Sequence, residues 1–107
     1  MEWRVEVLND TVRSELDALP LEIRARLIRL ERLISQVGLE TLREPYVKHL
    51  EGKLWEMRVT GRDGIARAIY VTAIGRRVVI VRVFIKKTQQ TPRSEIDIAQ
   101  RRAKEIV

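Results

Sequence analysis

Phe84-Ile85-Lys86-Lys87-Thr88-Gln89-Gln90-Thr91-Pro92 decides how this chain is read, because an apolar run enters a basic pair, stops, and restarts as a helix. Upstream, Val78 to Ile85 is a run of β-branched and aromatic residues of strand length, interrupted by Arg82 alone. It is apolar enough to be central in a sheet and covered on at least one face. Downstream, Thr91 reads as an N-cap with Pro92 at the first helical position, and Ile96, Ala99, Ala103 and Ile106 recur at helical spacing. A strand that ends on exposed positive charge is a place to hold phosphate.

Working outward, Leu54 to Thr60 alternates, with Trp55, Met57 and Val59 on one side and Glu56, Arg58 and Thr60 on the other. Gly61 to Gly64 turns the chain into a strand over Ile65 to Ala73, and Gly75-Arg76 turns it again into the Val78 run, completing a meander. The stretch before it, through Pro45 and Gly52, reads as a mixed connector. Further back, Trp3 to Val7 alternates like a half-buried strand, and Asn9-Asp10-Thr11 offers caps for a helix through about Leu19. From Leu21, the positions Ile23, Leu27, Leu30, Ile34 and Val37 form one helical stripe that Gly38 stops, with Arg24, Arg26, Arg29 and Arg32 on a wet face and Glu22 spaced to pair with Arg26. The order β-α-α-β-β-β-α predicts an α+β fold in which helices cover one face of a twisted antiparallel sheet and leave the other partly open.

A length of 107 residues allows one domain, 1–107, with a single core. The absence of cysteine excludes disulfides, cysteine-type zinc sites and thiol catalysis. No window approaches ~18 consecutive apolar residues, and the start lacks a secretory pattern, so no membrane span and a cytoplasmic location are expected. The net charge of +6 is unevenly placed: residues 1–40 sum to −2 and residues 41–107 to +8. Sixteen of the 21 basic residues are arginine, whose planar fork matches phosphate oxygens in pairs and stays charged when partly buried. An RNA or DNA backbone is a natural partner for such a surface, which can also solubilise the chain or meet an acidic protein.

Arg58, Arg67, Arg82 and Lys86 or Lys87 fall on consecutive strands or at a strand end, and strands only ~4.8 Å apart let such side chains converge on one ligand group. Phosphodiester cleavage in RNA needs a base for the 2′-hydroxyl, cations for the crowded phosphate and an acid for the leaving 5′-oxygen; arginine and lysine supply the second by electrostatic preorganisation. The plainer reading makes Arg58 and Arg82 solvent-side strand residues paired with Glu56. His49, the only histidine, is a possible acid or base beside Lys48, or an ordinary loop residue. Trp55 and Tyr70 suit base stacking, although parity with Met57 and Val59 assigns Trp55 to the core. No spacing of histidine and acids suggests a metal site, and no cofactor is expected.

Three stretches together, Lys48-His49-Leu50-Glu51-Gly52-Lys53-Leu54-Trp55-Glu56-Met57-Arg58, Ala66-Arg67-Ala68-Ile69-Tyr70 and the Phe84 to Pro92 segment followed by Glu95-Ile96, Ala99 and Arg102, resemble the RelE/HigB toxins of type II toxin–antitoxin systems. The branch they are most similar to is that of phage-derived HigB-like proteins. This resemblance implies a RelE-like fold, with an amino-terminal strand and helical hairpin packed on the sheet and a carboxyl-terminal helix. It implies a metal-independent endoribonuclease that cuts messenger RNA on the ribosome and is silenced by a cognate antitoxin, commonly of helix-turn-helix type. By motif position it makes Arg58, Arg67 and Lys87 the catalytic residues and Lys48, Lys53, Arg82 and Lys86 RNA-binding ones. Several such toxins place a tyrosine or histidine near the carboxyl end as acid or base. This chain has Arg93-Ser94-Glu95-Ile96-Asp97-Ile98 there, which leaves His49 or a lysine for that role. The ParE gyrase poisons share the fold, so inhibition of a topoisomerase, or partner binding without catalysis, are the alternatives.

Overall fold

The computed structural model describes residues 3–43 and 46–106. Pro45, assigned above to the connector, and the Met1-Glu2 start lie outside the described residues. Five strands, β1 (Arg4–Val7), β2 (Val47–Glu51), β3 (Leu54–Gly61), β4 (Gly64–Ala73) and β5 (Arg77–Lys86), form one sheet in the order β1-β5-β4-β3-β2. Helices α1 (Asp10–Asp17) and α2 (Leu21–Val37) follow β1, and α3 (Arg93–Ala103) follows β5. The α+β architecture is as the sequence predicts, with three differences that have physical causes.

First, the sheet is mixed. The meander β2 to β5 is antiparallel, but β1 pairs parallel with β5, Val5 against Val78 and Val7 against Ile80. A parallel neighbour needs a long crossover, and here residues 8–76 are that crossover. Second, the connector before Gly52 contains a strand. β2 is an edge strand whose Lys48 and His49 are exposed, so its sequence lacks the apolar alternation that marks β3. Third, both faces of the sheet are covered in part. Val12, Leu16, Ile23, Leu27 and Ile34 of α1 and α2 bury against Met57, Ala66, Ala68, Tyr70, Val78 and Ile80 on one face. On the other, Ala99 of α3, flanked by Ile96, Ala103 and Ile106, covers Leu54, Ile69, Val71, Val79, Val81 and Phe84.

The helix ends follow local chemistry. Asn9 caps α1 by accepting from the Val12 N–H at 3.1 Å. Gly38, at φ 91, ends α2 in a conformation that costs a side chain dearly. The buried stripe of α2 stops at Ile34, and Val37 is half exposed. At α3 the cap is Pro92, one residue later than the sequence suggests: the Thr91 hydroxyl donates instead to the buried Glu56 carboxylate at 2.7 Å.

Two packing features carry predictions. A Cβ built on Gly61 would stand 2.6 Å from both Cδ1 and Cγ1 of Ile23, itself only 2% exposed, so α2 crosses β3 where no side chain fits. Gly61→Ala is expected to cost about 1–3 kcal/mol as overpacking. Urea unfolding should show a lower midpoint at unchanged slope; an unshifted midpoint would contradict the close approach.

Glu31 on α2 is the second. Burial pushes its carboxyl up to about 7, with Arg13 drawing it partway back, and its Oε2 has no hydrogen-bond partner among the described residues. Between the ordinary value of 4.5 and about 7, the folded state retains a proton that the unfolded chain has released. Unfolding free energy therefore falls as pH rises through that window. Glu31→Gln removes the dependence, and the variant should exceed wild type by about 1–3 kcal/mol at pH 8 while matching it near pH 4. A gap that stays constant from pH 4 to 8 would show that the carboxyl does not titrate as assigned.

Candidate functional site

Register places the sequence-predicted residues unevenly on the two faces. Arg58 of β3 lies directly opposite Arg67 of β4, and Arg67 lies opposite Phe84 of β5. Arg82 and Lys86 occupy the same side of β5, and Lys48 of β2 lies opposite Glu56 of β3, so this face carries Lys48, Glu56, Arg58, Arg67, Arg82 and Lys86. It is the face under α3. His49 pairs with Trp55, which shares the side of Met57 and Val59, so the histidine lies on the opposite face. Its ring sits 4.9 Å from the Trp55 ring, tilted, and its Nε2 lies 2.8 Å from Gly52 O. The assignment of His49 as acid or base at the Arg58–Arg67 pair is therefore corrected: alternation along β2 turns it away.

The two arginines are brought together, but not as an open cluster. Arg67 is fully buried, its guanidinium carbon 5.8 Å from the Phe84 ring centroid. It donates through Nη1 to Gln90 O at 3.3 Å and through Nη2 to Thr88 O. Arg58 donates through Nη2 to Gln89 O and through Nε to Glu56 Oε1 at 2.5 Å. Three consecutive carbonyls of Thr88-Gln89-Gln90 thus accept from one arginine pair, and the segment lies across the face as a strap. Thr91 anchors its far end on Glu56, which is itself fully buried. Desolvation, then the Arg58 charge, lower the Arg67 pKa, with Glu56 partly compensating. Its Nε finds no partner among the described residues. The exposure expected of this pair is corrected: backbone oxygens hold the donors that phosphate oxygens would use, and Arg67 lies buried beneath them.

Arg82 is also taken. It donates to Glu95 Oε1 at 2.6 Å and to Glu15 Oε2 at 2.7 Å, while Arg102 donates to Glu15 at 3.0 Å and to Val81 O at 2.9 Å. Hydrogen bonding to Glu95 and the charge of Glu15 outweigh burial and raise its pKa. This network joins α1, β5 and α3, so Arg82 as an RNA-binding residue is corrected to a structural one. Its plainer pairing with Glu56 is not made; Glu56 serves Arg58. Lys48, Lys53, Lys86 and Lys87 are exposed. Lys53 lies in the turn before β3, five residues from Arg58 and roughly 17 Å away at the rise of a strand, and is not part of the same cluster. Tyr70 is buried in the core, whereas Trp55, expected there too, is 40% exposed. Among the described residues no group of three or more His, Asp or Glu side chains is placed to hold a metal ion.

Sequence reasoning missed Glu15, Glu95, Arg102 and Thr91. Glu95 and Arg102 entered the sequence reading only through the resemblance, with no role assigned, and Glu15 reaches its partners across 67 residues or more. One signal for the burial of Arg67 was present: it is the only charged residue in the apolar run from Ile65 to Ala73.

The fold is similar to two solved structures. A mutant of the E. coli toxin RelE in the free state matches with a TM-score of 0.62 at 15% identity, covering 100% of both chains. The archaeal RelE–RelB complex from Pyrococcus horikoshii OT3 contains a chain that matches with a TM-score of 0.58 at 24% identity, over 79% of this chain and 96% of that one. At these identities the likeness is one of fold. No curated protein matches the chain. Residues 14–104, which span α2, the four-strand meander and α3, match the family described as Phage derived protein Gp49-like (DUF891), and the chain belongs to that family.

Proposed function

We propose that the chain is the toxin of a type II toxin–antitoxin pair, of the phage-derived HigB-like branch, and that it acts in the cytoplasm as a metal-independent endoribonuclease on ribosome-bound messenger RNA. The observation that carries this reading is the cross-strand pair Arg58–Arg67 with both guanidinium groups aimed at the oxygens of one short segment. Phosphate oxygens can replace those carbonyls when the strap lifts, and forked donors fixed in advance are what a pentacovalent phosphate requires. Lys87, at the root of the strap, and Lys86 are exposed beside the pair and would follow the RNA backbone, with Lys48 on the same face. With His49 on the other face, the proton leaving the 2′-hydroxyl and the proton reaching the 5′-oxygen would pass through these lysines. The antitoxin of such a pair, a helix-turn-helix protein in this reading, would keep the basic face from RNA.

The strap itself favours a second reading, in which the arginine pair only holds the fold and the protein poisons a target such as DNA gyrase by binding. Induced expression without a partner separates the two. Discrete new transcript ends that disappear in Lys87→Ala, with folding checked by circular dichroism, support cleavage, since Lys87 is exposed. Intact transcripts accompanied by DNA breaks support the second reading and overturn the first.

A further inference from the structure

Between the outer side of α2 and the ends of β3 and β4 runs a groove of about 810 Å³. Its floor is aliphatic, built on Leu30, Leu33 and Val59, and its rim is cationic, built on Arg26, Arg29, Arg32 and Arg58. Among the described residues no carboxylate lines it. Leu33 is 40% exposed, and Val37, one turn further along the same side of α2, is 50% exposed; Tyr46, also on the groove, is 54% exposed. Arg29 and Arg32 form no ion pair among the described residues, whereas Arg26 is already held by Glu22 at 3.1 Å and donates to Thr60 O at 2.7 Å. Isolated exposed leucines mean little, but aliphatics gathered in a groove, beside an exposed tyrosine and under arginines, have the composition of a docking surface.

We propose that this groove seats an acidic amphipathic segment of a partner protein, one that carries two or three aliphatic side chains at helical spacing with Asp or Glu on both flanks. The aliphatic floor would take the apolar face, and the guanidinium forks would take the carboxylates in pairs. A nucleic acid strand uses the cations but gains nothing from Leu30, Leu33 and Val59, and for that reason a peptide is the better complement. Arg58 and Gln89 close the end of the groove, so the occupant's last carboxylate lies against the strap. The proposal does not depend on RNA cleavage: a partner with this chemistry would bind whatever the protein does to its target.

The test is selection of displayed random 16-residue peptides on the full chain, followed by binding measurements on the recovered sequences. Enrichment of Leu, Ile or Phe at three- and four-residue spacing with flanking acids is expected. Affinity should fall at least tenfold in Leu33→Asp and again in Arg29→Glu/Arg32→Glu, both exposed positions whose folding is checked by circular dichroism. Recovered peptides with no such pattern, or with undiminished affinity for Leu33→Asp, would overturn the proposal. So would a uridine 12-mer that binds the wild type and Leu33→Asp equally but not the arginine double variant, because that result makes the groove an RNA track. Growth arrest is not read, so the outcome is independent of the ribonuclease assignment.

Discussion

Glu15→Ala is expected to lower the unfolding free energy by about 2–4 kcal/mol. Glu15 accepts from Arg82, from Arg102 and from the backbone N–H of Val83 at 3.0 Å. Val83 lies beyond the end of β1, where the edge of β5 has no strand beside it, so the carboxylate stands in for a missing neighbour. Removing it takes one partner from each of two part-buried guanidinium groups, which keep Glu95 and Val81 O, and leaves one edge donor unmet. Breaking a fully buried pair costs ~3–5 kcal/mol; the side chains here retain 15–21% exposure, which reduces the figure. Glu15→Gln keeps an acceptor for Val83 and loses only the charge, so it should fall between alanine and wild type. Denaturant unfolding reads both variants, and an alanine variant within ~0.5 kcal/mol of wild type would show that the network contributes little to stability.

Arg67 separates folding from function, provided that two substitutions are compared. Arg67→Ala leaves a cavity beneath the strap and removes the donors of two carbonyls, at an expected cost of about 2–4 kcal/mol. Arg67→Met retains most of the stem volume beside Phe84 and so avoids the cavity, although the Thr88 and Gln90 carbonyls lose the same donors, so its cost should be smaller, about 1–3 kcal/mol. If the guanidinium binds the scissile phosphate, as proposed, both variants lose cleavage by about 10²–10³-fold. A folded Arg67→Met protein that arrests growth as strongly as wild type would confine Arg67 to holding the strap. Growth arrest at matched expression, with folding followed by circular dichroism, gives the comparison.

Much of the fold was legible because it follows periodicity. The stripe Ile23, Leu27, Leu30 and Ile34 predicts α2 and its buried side, and the alternation of Trp55, Met57 and Val59 against Glu56, Arg58 and Thr60 predicts which face each takes. β5 shows where periodicity gives out. Val78 and Ile80 pack toward α1 and α2, yet Val83 does too, because a bulge opposite Ile69 and Tyr70 inserts one residue and reverses the alternation. An apolar run carries no mark of such an insertion, so the side taken by Arg82 could not be read. β2 stayed hidden because an edge strand tolerates Lys48 and His49 where a central one would not.

The candidate site was legible as a set of residues, not as a geometry. Arg58 and Arg67 meet where the strand pattern places them, but what they hold is backbone, and carbonyl oxygens have no sequence signature. His49 was misplaced because its side of the sheet depends on a strand that the sequence did not reveal. Long-range ion pairs such as Glu15 with Arg82 depend on which elements meet in three dimensions.

The central claim is that the Arg58–Arg67 pair serves phosphate chemistry, and it is tested most directly with purified chain, purified ribosomes and a defined messenger. Wild type should release fragments whose 5′ portions end in a 2′,3′-cyclic phosphate, the product of attack by the 2′-hydroxyl, and folded Arg58→Ala and Arg67→Met should release almost none. A wild-type protein that leaves the messenger intact, or an Arg67→Met protein that cuts at the wild-type rate, would contradict the account.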